Sequence, residues 1–430
     1  MPGASMIKSY NNQSSFGQSY IYGNPEITYW KAAYRRHTNF AIEAREMTNS
    51  STTAAWGTEV VYKIPRDQSD LMYKVHLDAT LPDPDDNKFF CAYPAQRLVE
   101  WAEFKIGGTS ISGRLTSDFL HCWHELTIPE SKKWAYRELI GHTKSVLVSH
   151  GGASVTLPLP FWFTENPGVA FPRNAITNDE VSIVIKYRAT DKICRNTNPA
   201  ATSQPSVGAD LADVKLWVTL IFLDQEERTR FQESRHEYLI EQVQSTTQTV
   251  TTSDADVTVN FNFDHHVKEL IWFATNSSMT DLGEYFNYTI GTGGSGGICL
   301  TWTASGAGGH QNADQVYPAA VVSSDVDITA AQFKFDNSDL FSDGAKNTRY
   351  FTQLQPMYHH TSVPWTPGIF VYSFALKPEE FQPSGTLDFT SITTQQLVIT
   401  CGSSNYNNVT IMAVNYNVLV IAGGHGTLNI

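Results

Sequence analysis

The stretches PFWFTENPGVAFPRNAI (residues 160–176) and YSFALKPEEFQPSGTL (residues 372–387) follow one pattern at two places in the chain. Four positions correspond at a constant offset of 211 residues, Phe163, Pro167, Pro172 and Ile176 with Phe374, Pro378, Pro383 and Leu387. Each stretch starts with an aromatic apolar run, continues through a proline-rich loop and leads to a β-branched segment. An offset near half of the chain length predicts two similar domains in tandem, because self-similarity at a fixed period marks repeated architecture.

The bulk composition agrees with two globular domains. A chain of 430 residues is too long for one ordinary hydrophobic core and suits two domains of about 200 residues each. A hydrophobic content of 41% supplies enough apolar side chains for packed cores and excludes a disordered chain. The net charge of −13 argues against direct nucleic-acid binding, which depends on Lys and Arg contacts to phosphates.

The first 40 residues differ in charge from the rest of the chain. They carry the basic residues Lys8, Lys31, Arg35 and Arg36 against Glu26 alone, a net charge of +3. Such a basic arm either has a partner of its own or is merely solvated, and the residues leave both interpretations open. The first 15 residues contain no apolar run typical of a signal peptide.

Short β-branched and aromatic segments dominate the chain. The clearest are residues 58–64, 144–149, 182–187, 214–223, 256–263 and 416–423. Turn-rich links such as residues 196–208 separate them. Many short strands joined in this way predict an all-β sandwich or barrel and argue against a βαβ repeat.

One convincing helix is predicted at DQEERTRFQES (residues 224–234). Asp224 can cap it, and Glu227, three positions later, completes a capping box. It lies between the last strand of the first half and the first strand of the second, so it predicts the domain junction. A second short helix is expected at residues 28–36. The Gly-, Ser- and Thr-rich residues 291–310 predict an exposed surface loop.

No pattern in the chain is typical of catalysis, metal binding or a cofactor. HCWHE (residues 121–125) has residue types that bind metals, but adjacent residues on a strand point to opposite faces and no second ligand cluster follows. We therefore expect core or interface polar residues there. No nucleophile elbow, phosphate-binding loop or zinc helix appears. The five cysteines are scattered singly, which is typical of reduced thiols.

Several longer segments carry a family resemblance. They are YRRHTNFAIE (34–43), LPFWFTENPGVAFP (159–172), LDQEERTRFQESRHEYLIEQVQ (223–244), FDHHVKELIW (263–272), VYSFALKPEEFQPSGTLDF (371–389) and NYNVLVIAGGHGTL (415–428). These segments resemble the major capsid proteins of nucleocytoplasmic large DNA viruses, the iridovirus and phycodnavirus group. The resemblance extends from about residue 25 to the C-terminus and keeps the same order.

The resemblance implies an all-β double jelly roll, two tandem eight-stranded antiparallel rolls with a short inter-domain helix. The corresponding boundaries are an N-terminal arm at 1–25, a first roll at 26–223, a helical linker at 224–236 and a second roll at 237–430. It also implies a structural role without catalysis or cofactor. Three chains would form a nearly hexagonal capsomer that tiles the icosahedral shell of a virion assembled in the host cytoplasm.

The partners implied are other copies of the chain, neighbouring capsomers, and minor capsid and penton proteins. Because the chain start faces inward in this family, Lys31, Arg35 and Arg36 become candidates for contact with minor capsid proteins or the inner viral membrane. Trp365 suits either a buried anchor between copies or a cap on the core of its own domain.

Asn276, Asn287 and Asn408 each head an Asn-x-Ser/Thr triplet. Such triplets are chance matches in a protein that stays outside the secretory pathway, but a virus with its own glycosylation machinery would make them candidate glycosylation sites.

Two other readings compete with the shell protein. A minor capsid or penton component is usually built with a single roll, and the paired segments count against it. A tandem jelly-roll carbohydrate-binding protein or a cupin-like enzyme would share the fold class. We find no His/His/Glu ligand set for a cupin, and the acidic residues 81–88 read better as a turn than as a calcium loop.

Overall fold

The computed structural model of the protein describes residues 24–48, 53–82, 89–143, 153–195, 207–250, 256–281, 283–289, 326–401 and 406–429. Most of the predicted arm, the segment at 144–149 and the surface loop predicted at 291–310 lie outside these ranges. The chain forms two units, residues 1–39 and 40–430, each considered by itself. None of the described helices has the length and apolar character needed to cross a bilayer.

The first half of the larger unit contains ten strands among its described residues. They are β1 Phe40–Met47, β2 Glu59–Lys63, β3 Leu71–Leu81, β4 Phe89–Phe90, β5 Val99–Ile106, β6 Thr109–Thr116, β7 Ala153–Pro158, β8 Val181–Tyr187, β9 Cys194–Arg195 and β10 Ala212–Leu223. The helices are α1 Pro94–Leu98, α2 Ser117–Thr127, α3 Glu130–Leu139 and α4 Trp162–Glu165, with 3-10 turns at Arg66–Gln68, Pro167–Val169, Arg173–Ala175 and Thr190–Lys192.

The second half follows helix α5 (Gln225–Glu233) and contains eleven strands among the described residues. They are β11 His236–Thr249, β12 Asp256–Phe261, β13 His266–Thr275, β14 Ile328–Phe335, β15 Ser338–Asp339, β16 Lys346–Asn347, β17 Phe370–Ser373, β18 Leu387–Asp388, β19 Gln395–Cys401, β20 Asn408–Ala422 and β21 His425–Asn429. The helices are α6 Ser277–Asp281, a π-helical turn at Tyr350–Leu354, and α7 Gln355–His359.

The two halves repeat one strand order. The first half has sheet orders β1-β10-β3-β7 and β2-β8-β5-β6, and the second half has β11-β20-β13-β17 and β12-β19-β14-β15. β4 and β9 form a separate two-stranded sheet, and β16, β18 and β21 pair beside the orders given above. Without these five, each half has eight described strands. When the eight are numbered along the chain, both halves have the sheet orders 1-8-3-6 and 2-7-4-5. The pairs within each half are antiparallel. The predicted double jelly roll is confirmed.

The hydrophobic core continues from one half into the other. Phe104 and Leu120 of the first half belong to the same buried cluster as Phe273, Met412 and Leu419 of the second. A separate cluster around Trp272 and Phe333 fills the second roll. Because apolar side chains of both rolls are withdrawn from water together, the rolls are held as one body.

Helix α5 confirms the helix predicted at residues 224–234. Asp224 caps the helix, and its Oδ1 accepts a hydrogen bond of 2.8 Å from the adjacent Gln225 amide, whereas the predicted capping box places this bond on the Glu227 amide. The reciprocal bond of the predicted capping box is missing at Glu227 Oε2, which is buried without a hydrogen-bond partner. Arg228 instead anchors the helix, donating hydrogen bonds of 2.7 and 3.0 Å to the two carboxylate oxygens of Asp70.

Two local expectations were wrong. HCWHE lies on helix α2 rather than on a strand, because the apolar residues Phe119, Leu120, Trp123 and Leu126 recur at helical spacing and Thr116 caps the helix by accepting from the Phe119 amide. The helix expected at 28–36 is an irregular segment with a turn at residues 29–30. Its large apolar side chains are almost fully exposed (Trp30 95%), so no packing supports a helix of this length.

Candidate functional site

The boundary between the two rolls, here named the seam, brings polar and charged side chains of both halves together. Its first part is the loop Ser362–Thr366 of the second roll, which lies on helices α2 and α3 of the first. The Ser362 amide donates to the Leu126 carbonyl at 2.9 Å, and Lys133 Nζ donates to the Val363 carbonyl at 3.1 Å. The loop is therefore fixed by backbone as well as side-chain bonds.

Glu125 of α2 is the centre of this contact. Its Oε2 accepts a 2.9 Å hydrogen bond from the Trp365 amide and lies 3.5 Å from Lys133 Nζ, while its Oε1 lies 3.6 Å from Arg137. Burial alone would raise the pKa of Glu125, but the charges of Lys133, His121 and Arg137 outweigh it and hold the pKa below its ordinary value. The carboxylate stays charged and ties both rolls together.

His121 crosses the seam as a neutral ring. Its Nδ1 lies 3.0 Å from Gln96 Oε1 and its Nε2 lies 3.0 Å from Thr366 Oγ1 in the second roll. Burial lowers the pKa of His121 to about 4, so the imidazole carries no charge at neutral pH. A proton on Nδ1 satisfies both neighbours, since that nitrogen then donates to Gln96 and the other accepts from Thr366.

A strand contact joins the two sheets. β6 of the first roll and β11 of the second form a parallel bridge at Gly113 and Val243, and Gln242 Nε2 donates to the Ile111 carbonyl at 2.7 Å. A Cβ built on Gly113 would lie 2.2 Å from the Val243 carbonyl oxygen, and the φ of +69° also disfavours a side chain. Glycine is thus required for this approach of two backbones.

The hairpin of β20 and β21 reaches back onto the first roll and forms a clasp. The Gly424 carbonyl accepts from the amides of Thr177 and Asn178 at 3.1 and 3.0 Å. His425 Nδ1 lies 3.0 Å from Asp179 Oδ1. A Cβ on Gly424 would meet Thr177 Oγ1 at 2.0 Å, so this contact also depends on a glycine.

Between these contacts the seam encloses a cavity of about 120 Å³. Lys268 projects into it, with Nζ 2.6 Å from Glu241 and 2.7 Å from the Pro378 carbonyl. Burial would lower the pKa of Lys268, but Glu241 and Glu269 raise it above its ordinary value. The remaining lining residues are Trp123, Thr127, Trp162 and Glu165 of the first roll and Leu239, Glu379, Phe381 and Tyr416 of the second.

His360 lies behind the loop in a charged triad of the second roll. Its Nε2 is 3.0 Å from Glu269 and its Nδ1 is 2.9 Å from Glu379. Burial opposes protonation, but the two carboxylates outweigh it and raise the pKa of His360 to about 9. The ring is therefore charged at neutral pH and fixes the start of the loop that lies on the first roll.

The residues predicted for partner contact are placed as follows. Lys31, Arg35 and Arg36 are exposed in the unit of residues 1–39. Trp365 is partly buried at the seam, with the Arg137 guanidinium 4.2 Å and Lys133 Nζ 5.1 Å from its ring. It packs on the opposite roll of its own chain in this structure, and a role between copies stays a prediction.

The three asparagines predicted as glycosylation candidates differ in how far their side chains are exposed to solvent. Asn276 and Asn287 are each only 5% exposed, and Asn287 Nδ2 donates to Glu284 Oε2 at 2.8 Å. Asn408 is half-buried, and its Oδ1 accepts from Thr249 at 3.0 Å. A glycan needs the amide nitrogen at the surface, so burial limits access to the first two in the folded chain. Glycosylation at all three stays a prediction.

The sequence did not reveal most of the seam. The motif HCWHE singles out Glu125, but the local sequence does not indicate that Lys133, Arg137 and Trp365 are its partners. Nothing in the sequence around Gly113 and Gly424 indicates that the first lies against the backbone of Val243 and the second against Thr177. Within the described ranges, no group of His, Cys, Asp and Glu side chains could hold a metal ion.

Two family models match the chain. The model described as "Major capsid protein N-terminus" matches residues 28–224, and the model described as "Large eukaryotic DNA virus major capsid protein" matches residues 227–427. The two matches meet at helix α5 and together cover nearly all described residues.

Whole-length relatives agree with the family models. The major capsid protein of Pyramimonas orientalis virus is 32% identical over 436 residues, covering 95% of this chain and 95% of the relative. The major capsid protein of Paramecium bursaria Chlorella virus 1 is 31% identical over 457 residues, covering 99% of this chain and 98% of the relative.

Solved structures share the fold. The crystal structure of PBCV-1 VP54, fitted into a reconstruction of the virophage Sputnik, has a TM-score of 0.79 and 28% identity over 94% of this chain and 100% of that chain. The Faustovirus major capsid protein, at 12% identity and a TM-score of 0.69 over 97% and 96% of the two chains, supports the fold alone. The chain therefore belongs to the family of large eukaryotic DNA virus major capsid proteins, which are structural capsid proteins and not enzymes.

Proposed function

We propose that three copies of this chain form a capsomer of nearly hexagonal outline, and that these capsomers tile the faces of an icosahedral shell. The observation that carries the proposal is the repetition of strand orders 1-8-3-6 and 2-7-4-5 within one compact unit. A trimer of such chains presents six similar rolls, which approximate sixfold packing although the true symmetry is threefold.

The rigid seam supports the same role. Two rolls fixed by a shared core, a strand contact and a clasp keep their relative orientation, as a tile in a regular shell requires. A penton or minor component with a single roll is not favoured, because both halves carry the complete set of eight strands. Interfaces between capsomer subunits of this kind would bury on the order of 2,000–5,000 Å².

We assign the N-terminal segment to the inner side of the shell. Lys31, Arg35 and Arg36 are exposed there, next to exposed Trp30 and Tyr34. This combination of cations and amphipathic aromatic rings suits an anionic membrane surface or an acidic surface of a minor capsid protein. The wider partners would be neighbouring capsomers and penton proteins, with shell assembly in the host cytoplasm. The boundaries at 1–25, 26–223, 224–236 and 237–430 belong to this proposal.

The mass of the purified protein in solution tests the proposal. We expect light scattering to give three times 47.9 kDa at all dilutions that can be measured, since obligate interfaces of this size dissociate only weakly. Negative-stain images should show particles of hexagonal outline. A mass of 47.9 kDa that does not change with concentration would contradict the proposed capsomer.

A further inference from the structure

We propose that the seam cavity is a binding site for a small neutral polyol, such as a single sugar ring. The cavity has a volume of about 120 Å³. An engineered cavity of about 150 Å³ binds benzene, so a six-membered ring fits here with part of it in the opening. The site lies within one chain, and the inference does not depend on the proposed trimer.

The cavity lies between the two copies of the proline-rich repeat. Trp162 and Glu165 belong to the first copy, and Glu379 and Phe381 belong to the second. Each copy thus supplies one aromatic ring and one carboxylate. Glu165 is exposed and Phe381 is 38% exposed, so this side of the cavity is open to molecules from solvent.

Two hydrogen-bond donors at the cavity favour a ligand that accepts hydrogen bonds. The side chains of Trp162 and Tyr416 are only 6% and 7% exposed. Nevertheless, Trp162 Nε1 and Tyr416 Oη have no hydrogen-bond partner within the described part of the chain. Native proteins usually pair buried polar groups, because an unpaired one costs free energy. Both residues line the cavity, so a molecule bound there can supply the missing acceptors.

The charges around the cavity favour a neutral ligand. The carboxylates of Glu165 and Glu241 repel an anion. Lys268 is already present as a cation, with its Nζ 2.6 Å from Glu241, and it repels a second one. An ammonium group also cannot accept the proton of Trp162 Nε1. A hydroxyl group meets both requirements, since it accepts from an N–H group and donates to a carboxylate.

The aromatic walls favour a ligand that also has an apolar face. Rings of Trp123, Trp162, Phe381 and Tyr416 line the cavity. Lys268 Nζ lies 5.2 Å from the centre of the Trp123 ring and 5.7 Å from that of Tyr416, so these two rings border the charged end. Small-molecule sites typically combine apolar and aromatic walls with a few polar groups. A sugar ring offers C–H groups to such walls and hydroxyl groups to the polar atoms.

Saturation-transfer NMR on the full-length protein in its assembled state tests the site. The probes are methyl α-D-glucopyranoside, methyl α-D-mannopyranoside and methyl β-D-galactopyranoside. Butylammonium and butyrate are the matched cation and anion. We expect at least one sugar to bind with a Kd on the order of 1 mM, and both ions to bind more weakly than that sugar.

Variants of the two unpaired donors locate the binding. Tyr416→Phe removes one hydroxyl group and keeps the ring, so the Kd should rise roughly fivefold to tenfold. Trp162→Phe removes the indole N–H and should weaken binding at least as much. Tyr288→Phe is the matched control, because Tyr288 is also buried, at 1% exposed, but does not line the cavity. Its Kd should equal that of the unaltered chain.

Circular dichroism and urea unfolding show whether each variant is folded. If Trp162→Phe does not fold, Tyr416→Phe decides the question, since it removes a single oxygen atom. The inference would be overturned if no sugar binds or if either ion binds more tightly than every sugar. It would also be overturned if Tyr416→Phe binds as tightly as the unaltered chain, or if Tyr288→Phe loses as much affinity as Tyr416→Phe. The mass of the protein in solution tests the proposed function separately.

Discussion

Gly113 in the first roll and Val243 in the second bring two backbones together so closely that a single methyl group would lie 2.2 Å from the Val243 carbonyl oxygen. The contact joins the sheets of the two rolls into one ten-stranded sheet. The relative position of the rolls thus depends on the absence of one side chain.

Gly113→Ala should destabilise the seam by at least about 3 kcal/mol, because it adds a clash with backbone to an unfavourable positive φ. Urea unfolding followed by circular dichroism measures the loss. Gly108→Ala is the matched control, since Gly108 also has a positive φ (+85°) but no atom within 4 Å of the new methyl group. The control should cost about 1–2 kcal/mol. If both variants lose the same free energy of unfolding, the close contact with Val243 does not require glycine at position 113.

Glu125→Gln should lower the free energy of unfolding by about 3–5 kcal/mol, because Lys133 and Arg137 are then buried without their anionic partner. Glu130→Gln is the control. Glu130 also lies near Lys133, at 3.9 Å, but its side chain is 62% exposed, so less than about 1 kcal/mol should be lost. A small effect for Glu125→Gln would mean that water reaches this part of the seam.

The His360 triad should make stability decline in mildly alkaline solution. The folded pKa of about 9 lies above the unfolded value near 6.5, so the contribution is complete below pH 6.5 and is lost as pH rises through 9. The loss amounts to up to about 3 kcal/mol. Urea midpoints measured from pH 6 to 9.5 should fall in the unaltered chain and stay flatter in His360→Gln. If the urea midpoints of the two proteins change with pH in parallel, the alkaline loss of stability does not come from His360.

Three buried histidines of the first roll should produce the opposite trend in acid. Burial lowers the pKa of His121 and His124 to about 4 and that of His142 to about 3. Their folded values lie below the unfolded value, so their contribution is complete above pH 6.5 and is lost as pH falls towards 4. His121→Gln should reduce the slope of stability between these pH values. An unchanged slope in His121→Gln would contradict this expectation.

Removal of residues 1–25 should leave trimers intact and impair shell assembly, since these residues lead into the segment with Lys31, Arg35 and Arg36 that is proposed to contact inner-face partners rather than other copies. Sizing of the truncated protein and electron microscopy of assembled shells separate the two effects. Replacing Lys31, Arg35 and Arg36 by Ala should weaken binding to vesicles that contain anionic lipid. If the truncated chain no longer forms trimers, the arm belongs to the capsomer itself.

The sequence predicted the parts of the fold that depend on local pattern. Runs of β-branched residues predict β8 and β10, and Asp224 predicts the start of α5, which it caps without the predicted capping box. The repeat of residues 160–176 at 372–387 predicted two tandem domains, and the strand orders confirm the duplication.

The sequence could not predict features that depend on distant contacts. Helix α2 has an apolar face of local pattern, but its buried polar residues His121 and Glu125 find partners in Thr366 and Trp365 of the second roll. Segment 28–36 has the helix-forming residues Lys31, Ala32 and Ala33, but it has no packed face to stabilise a helix. The partners of Glu125 lie up to 240 residues away, beyond any local pattern.

The clasp between Asp179 and His425 joins residues 246 positions apart. At ordinary rates of translation, roughly 10–50 s separate the synthesis of these two residues on the ribosome. The loop that covers Glu125 and Lys133 in the folded chain is also made long after helices α2 and α3. The contacts that lock the two rolls together can consequently form only when nearly all of the polypeptide has been synthesised.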